Sequence, residues 1–349
     1  MESKDGAKRK LMIKSKVLQE LGSITDNCLN TVATVGMTSR KSVEFAVLPR
    51  RKALGFEAIN FLVSSSQAAE ECLRILDGRV KYIFIDVEAK KNLNLEYIAE
   101  NNVKSSVIIP YKPNDATVEA ADLFLLQYFK EAVREKEILI YGAGNIAGKL
   151  ALRLAERGSN VYVFSRDYKK VELISEALNF ILPRYSVNKI IPIENIKAFT
   201  NSFDAVISFI SAERVIDDDI ICSLKEKALV LDGGINNFTP QFYEIASQKL
   251  LNCFRLDVRL GFLYTLLPLL DDVRAFFNDV QGKAFVDNIT IVSGGIIGAS
   301  GDIIVDNIKH PRQVIGIANG LGGLKDTNDY TVSDQENLTK VQKFILAMD

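Results

Sequence analysis

With 349 residues, 48% of them hydrophobic and 25% charged, the chain has the make-up of a folded protein of about two domains. A formal net charge of −1 offers no basic field for nucleic acid or anionic lipid, leaving small molecules and protein partners as expected ligands. No apolar run reaches the roughly 20 residues of a membrane span: the most apolar stretch, 260–270, is closed by Asp271 and Asp272.

The charged N-terminus, residues 1–10, lacks the apolar core of a signal peptide, so a cytoplasmic location without membrane partners is expected. Cys28, Cys72, Cys222 and Cys253 are scattered without CxxC spacing, which predicts buried free thiols and no metal site.

In chain order, the first 30 residues read as a helix, with Ile13, Val17, Leu18 and Leu21 at helical spacing. Residues 31–35 read as a β-branched strand ended by Gly36. Residues 43–54 read as helical, with Pro49 marking a bend or a start. A strand at 61–63, a helix at 68–76, a buried strand at 82–87, a helix at 95–100 and a strand at 106–110 follow. This alternation predicts a mostly parallel α/β sheet. A polar stretch, 111–117, leads into a helix at 118–133, where a domain boundary is placed.

Beyond it, strand 138–141, helix 146–157 with Gly158 as its stop, strand 161–164, helix 170–178 and strands 189–192, 204–209 and 228–231 continue the pattern. Residues 261–280 read as one apolar helix, either a core element or a subunit interface, and a homodimer is the expected assembly. The expected layout is an N-terminal α/β domain over 1–130 and a Rossmann domain over 131–310, with a cleft between them. A C-terminal segment, 311–349, is expected to pack back on the first domain.

The motif that carries chemistry is Ile138-Leu-Ile-Tyr-Gly142-Ala-Gly144-Asn145-Ile146-Ala147-Gly148. A GxGxxG-like spacing alone is weak, but this one joins a strand to a helix and a second strand follows. Gly142 permits the tight turn, Gly144 lets the backbone approach a pyrophosphate, and Ala147 keeps the helix close to the strand. The helix N–H groups and positive dipole end then face the phosphates. At the end of the second strand stands Ser165-Arg166-Asp167, where NAD sites usually place a carboxylate for the ribose hydroxyl. Ser165 and Arg166 suit a 2′-phosphate, which favours NADP, while Asp167 is placed to cap the next helix. The loops after two later strands, with Ser208 and Ile210 in one and Gly234 in the other, either touch the nicotinamide half or simply connect. The glycine-dense run 293–301 is either a loop over the nicotinamide or a tight connection.

These residues resemble those of the methylene-tetrahydrofolate and methylene-tetrahydromethanopterin dehydrogenases and of shikimate dehydrogenase. Ile109-Pro-Tyr-Lys-Pro113 looks like the proline segment that ends the catalytic domain of the folate enzymes. Leu231-Asp-Gly-Gly-Ile-Asn236 looks like their DVGIN turn, and residues 289–295 are similar to their ITPVPGG loop. The Ser-Arg pair is similar to the NADP-selecting element of the shikimate and methanopterin enzymes. The resemblance implies an NADP(H)-dependent oxidoreductase acting on a small metabolite. It departs at the catalytic pair Tyr-x-x-x-Lys: residues 42–52 hold no tyrosine, and Lys52 is out of register. Asp86 stands where the folate enzymes carry a glutamine. The departure keeps a second reading open, a non-catalytic NADP(H)-binding sensor.

Hydride chemistry needs a proton donor or acceptor beside the cofactor. The single histidine, His310, lies far along the chain beside Pro311, which leaves lysines and carboxylates. Lys52 follows two arginines that would lower its pKa, Asp86 ends an apolar strand, and Asp115 precedes the linking helix; these are the catalytic candidates. Asn114 and Asp115 also lie where shikimate dehydrogenase has an Asn-Thr-Asp substrate motif. Lys112 is a further option, and Arg50, Arg51 and Lys52 are candidate anchors for an anionic substrate.

Overall fold

The computed structural model describes residues 4–24, 30–38, 43–89 and 92–348. The chain divides into two compact units, residues 1–265 and 266–349.

The first unit holds two sheets. Its N-terminal sheet is built from β1 (Thr31–Met37), β2 (Phe45–Ala53), β3 (Phe56–Val63), β4 (Tyr82–Asp86) and β5 (Val107–Tyr111), in the order β2-β3-β1-β4-β5. All neighbours run parallel except the edge strand β2, which is antiparallel to β3. Alternation along the strands gives this sheet two unlike faces. Ala33, Val35, Ile59, Phe61, Ile83 and Ile85 share an apolar core with Ile13 and Val17 of α1 (Lys4–Leu21) and with Cys72 and Leu73 of α2 (Ser66–Leu76). Ala99 of α3 (Leu95–Asn102) joins the same core. The opposite register of residues includes the buried polar groups Thr34, Asn60 and Asp86.

Residues 43–54, expected to be helical, form the strand β2 instead. Pairing with β3 overrides the helical spacing, and Pro49 is tolerated because β2 is an edge strand carrying a bulge. Leu54 and Gly55, both at positive φ, make the tight turn into β3, which is longer than the strand expected at 61–63.

The second sheet is β6 (Glu137–Tyr141), β7 (Asn160–Phe164), β8 (Ile190–Ile193), β9 (Phe203–Ser208), β10 (Leu224–Asp232) and β11 (Asn252–Arg255). Its order is β11-β10-β9-β6-β7-β8 with every pair parallel, the doubly wound Rossmann arrangement with its switch point between β6 and β9. Ile138 and Ile140 pack with Ala147, Leu150 and Leu154 of α5 (Asn145–Glu156) and with Ala121 and Leu125 of the linking helix α4 (Pro113–Tyr128). Leu139, Val206 and Val230 face the other way, toward Phe238 and Phe242; the latter belongs to α7 (Pro240–Gln248). Helix α6 (Tyr168–Ile181) connects β7 to β8.

Ion pairs join α4 to α5 along their length. Lys149 bonds Asp115, Arg153 reaches Glu119 at 2.5 Å, and Arg157 grips Asp122 with two hydrogen bonds of 2.8 and 3.1 Å. The acids fall at i, i+4 and i+7 and the bases at i, i+4 and i+8, so both rows lie along one face of a parallel helix pair.

The long helix expected at 261–280 is instead a chain of short pieces. A 3₁₀ turn (Val258–Gly261) is followed by α8 (Phe262–Leu266), a second 3₁₀ turn, α9 (Asp271–Ala275) and a π-helical turn (Phe276–Val280). Pro268 lacks the N–H that would continue the α8 ladder, which accounts for the first break.

In the second unit, β12 (Gly282–Val286), β13 (Ile289–Ser293), β14 (Ile303–Val305) and β15 (Val314–Ile317) form a four-stranded sheet in that order. It lies on both sides of the boundary expected at residue 310. Val341 and Ile345 of α10 (Val332–Leu346) pack against Ile291, Ile303 and Ile317 of this sheet. The glycine-dense run 293–301 connects the parallel strands β13 and β14, and Gly298 packs tightly against Asp302 and Ala318.

Of the cysteines, Cys72 is buried but Cys222 is exposed and Cys253 half-buried, which corrects the expectation of uniformly buried thiols; Cys28 lies outside the described residues. Among the described residues no helix is long and apolar enough to cross a membrane.

Candidate functional site

At the carboxyl end of β6 the chain turns at Gly142, whose φ of +135° is open to glycine and strained for other residues. Space is equally restrictive: a Cβ there would lie 2.7 Å from the Phe209 carbonyl oxygen. Gly144 differs. It is the N-cap of α5, makes no side-chain cap, and a Cβ on it would meet no protein atom within 4 Å. The first-turn N–H groups of α5 therefore lack a side-chain cap beside open space, the arrangement that receives an anion. Ala147 is wholly buried against the sheet, as the close helix-strand contact requires. Asn145 is exposed and Ile146 half-buried on the same first turn.

A pocket of about 580 Å³ opens at this point, lined by the Gly142–Gly144 turn, by Ser165, Arg166, Asp167 and Lys170, and by the Phe209–Ala212 loop. Asp167 caps α6 by accepting the Lys170 N–H at 3.2 Å. Its carboxylate thus has a structural task, and Arg166 and Lys170 supply positive charge to this end of the pocket. Among the described residues neither makes an ion pair. Arg166 also opposes the upward effect of burial on the Tyr141 phenol, which stays raised.

Ile210 lines the pocket, but Ser208 does not. It is wholly buried, and its hydroxyl donates to the Asn237 carboxamide oxygen. Gly234 is likewise packed away from the pocket, where a Cβ would lie 2.3 Å from the Ile210 carbonyl oxygen. Asn237, one residue beyond the stretch that sequence reasoning examined, holds the two loops together. Its amide donates to the carbonyls of Ile210 and Ala212 at 3.0 and 2.9 Å. Asp232 accepts from the N–H groups of Gly234, Ile235 and Asn237 and shapes the turn. A second asparagine in that turn was the available signal.

The three catalytic candidates lie in different surroundings. Lys52 is exposed and pairs with Glu57 at 3.2 Å on the strand surface. Asp115 is held by Lys112 at 2.5 Å and by Lys149. Burial pushes its carboxyl up, but the hydrogen bonds from the two lysines outweigh this and keep it below the ordinary value. Asp86 is fully buried and accepts the N–H groups of Met37 and Glu88, each at 2.9 Å. It lines a second, smaller pocket with Arg51, Tyr111 and the first turn of α4. That same turn reaches the start of α5, because the Asn114 amide lies 3.5 Å from the Asn145 carboxamide oxygen. The structure thus brings Asp86 and Arg51 into one cavity and leaves Lys52 outside it. Of the three adjacent cations Arg50, Arg51 and Lys52, only Arg51 lines this pocket.

Residues 125–232, which span the fingerprint turn and the Ser165-Arg166 pair, match the family described as Shikimate / quinate 5-dehydrogenase. No curated protein sequence matches the chain. Among solved structures, a shikimate dehydrogenase in complex with NADP+ is 14% identical, with 71% of this chain and 93% of that one covered and a TM-score of 0.45. An L-tryptophan dehydrogenase from Nostoc punctiforme is 10% identical over 75% of this chain and 87% of that one, also with a TM-score of 0.45. The A chain of dipicolinate synthase from Bacillus subtilis is 14% identical over 70% and 97%, with a TM-score of 0.35.

Proposed function

We propose that the protein is an NADP(H)-dependent oxidoreductase acting on a small metabolite. The observation that carries this reading is the pocket at the end of β6. There, an uncapped helix start next to an unobstructed Gly144 lies in one pocket with a guanidinium that has no ion pair among the described residues. The α5 amides hold the pyrophosphate, and Ser165 and Arg166 hold the 2′-phosphate. The match of residues 125–232 to a dehydrogenase family supports the same assignment.

When bound, the dinucleotide supplies a hydride donor or acceptor. The chain's part is to orient it through the Phe209–Ala212 loop and to handle a proton. Asp86 is the candidate for that proton, because it is the carboxylate that lines the neighbouring pocket while Asp115 is committed to two lysines. A folate-type reaction is not part of this reading: the region where those enzymes carry Tyr-x-x-x-Lys is the strand β2 here.

Calorimetric titration with NADP+, NADPH, NAD+ and NADH tests the binding step, followed by a turnover screen read at the nicotinamide absorbance. Tight NADPH binding with turnover of some metabolite is expected. Absence of heat with all four nucleotides would end the proposal, and tight binding without any turnover would favour the sensor.

A further inference from the structure

The pocket beside Asp86, about 150 Å³ in volume, lies against the polar face of the N-terminal sheet. Its size is well under the roughly 300 Å³ at the small end of ligand pockets, so it suits part or all of a small metabolite. An arginine and an aspartate line it among the described residues, Arg51 and Asp86.

Arg51 is in an unusual state for an arginine. It is half-buried, and burial lowers its pKa. Its guanidinium stands 5.6 Å from the centre of the Phe262 ring, a contact that supplies no hydrogen-bond acceptor. Among the described residues it makes no ion pair. The acid nearest in influence, Asp257, is taken up by Arg259 through two hydrogen bonds from Nε and one from Nη2. The guanidinium has five donors, and leaving them desolvated and unmatched is costly unless a ligand completes them.

The backbone explains how Arg51, rather than a neighbour, comes to point here. Leu48 pairs with Asn60 and Arg51 with Ala58, so three steps on β2 match two on β3. This bulge places Arg51 on the same face as Leu48, where strict alternation would place Arg50. Arg50 instead bonds Glu20 at 2.8 Å and Lys52 pairs with Glu57, both outside the pocket. Asn60 holds the bulge: its buried amide donates to the Pro49 carbonyl at 2.8 Å and accepts the Thr34 hydroxyl at 2.8 Å. Tyr111, kept protonated by burial, adds a neutral hydroxyl to the same wall.

We infer that Arg51 is the anchor for a carboxylate group of the substrate, and that Asn60, through the β2 bulge, is the residue that positions it. Arg51 is the one cation lining the pocket among the described residues, so a single negative charge matches it, whereas a phosphate dianion brings a second charge that no described side chain there meets. The carboxylate is therefore the favoured anion. This inference rests on the oxidoreductase reading only for the word substrate; the anion site itself is independent of cofactor binding.

The test titrates the full chain, with and without saturating NADP+, with propionate, propionamide and inorganic phosphate, following the Arg51 Nε–H resonance by NMR. Its assignment comes from its loss in Arg51→Lys. Propionate is expected to shift the resonance saturably, with propionamide and phosphate at least tenfold weaker. Arg51→Gln is expected to lose at least tenfold in propionate affinity, read by competition or calorimetry, with NADP+ affinity unchanged. Asn60→Ala is expected to lose propionate affinity as well; if it lowers only the melting temperature, Asn60 has no positioning role. Propionate binding no better than propionamide, or unchanged in Arg51→Gln, overturns the inference. Propionate binding without any NADP+ binding would instead leave Arg51 standing and remove the cofactor reading.

Discussion

The Asn237 carboxamide accepts the buried Ser208 hydroxyl and so fastens the turn after β10 to the end of β9, beside the loop that walls the pocket at the end of β6. Removing the carboxamide leaves that hydroxyl and the carbonyls of Ile210 and Ala212 without their partner. Asn237→Ala is expected to destabilise the protein by about 2–3 kcal/mol in urea unfolding, since buried polar groups left unsatisfied carry most of their desolvation penalty. A loss below about 0.5 kcal/mol would show that the two loops are held by other means.

The two glycines of the fingerprint turn are expected to fail differently. Gly142→Ala puts a Cβ 2.7 Å from a backbone oxygen at a φ of +135°, and about 1–3 kcal/mol of stability should be lost. Gly144→Ala meets no protein atom, so the melting temperature should hold while NADPH affinity falls at least tenfold. Equal effects of both substitutions on stability would contradict the assignment of Gly144 to ligand contact.

Arg166→Ala separates the two nucleotides. Loss of a charge-assisted contact to a phosphate corresponds to about 1.5–3 kcal/mol, roughly ten- to hundredfold in NADPH affinity. NADH binding should change little, because it lacks the 2′-phosphate. Calorimetry on the native and substituted proteins decides the point, and an unaltered NADPH preference would take Arg166 out of the site.

In the second unit, Asp334 forms a capping box with Thr331 at the start of α10 and accepts Lys325 at 2.7 Å. The Lys325 hydrogen bond, then the Thr331 N–H, hold its carboxyl below the ordinary range. A depressed pKa means that the unfolded chain protonates first. The stabilising contribution is therefore complete above the ordinary aspartate pKa of about 3.9 and disappears as pH falls through the folded value. The stability difference between native protein and Asp334→Asn should be flat from about pH 5 to 7 and shrink below about pH 4. A difference that grows on acidification would reverse the sign of the linkage.

The Rossmann half was legible because its constraints are local. A turn that only glycine tolerates, a helix stop at Gly158 and short β-branched strands each signal themselves within a few residues. The loops around Ser208 and Gly234 were found by the same logic, but Ser208 faces Asn237 rather than the pocket. That orientation is set by a partner 29 positions away. Strand β2 was illegible for a related reason. Its bulge shifts the phase of alternation in mid-strand, so neither a period of two nor one of 3.6 runs through residues 45–53. Arg51 could be suspected only as one of three adjacent cations, since backbone pairing alone decides which of them turns inward. The apolar run after Gly261 misled in the opposite sense, because hydrophobicity all round looks helical while Pro268 interrupts it.

The ion-pair ladder between α4 and α5 has a mechanical corollary. A slide of one helical turn, about 5.4 Å, would leave an acid unmatched at one end and a base at the other, so the ladder favours the observed register. The wall of the Arg51 cavity and the first-turn amides of α5 are thereby carried on one helix pair. Their spacing is set by this pair of helices, and a movement of one against the other along the joint would break ion pairs at its ends.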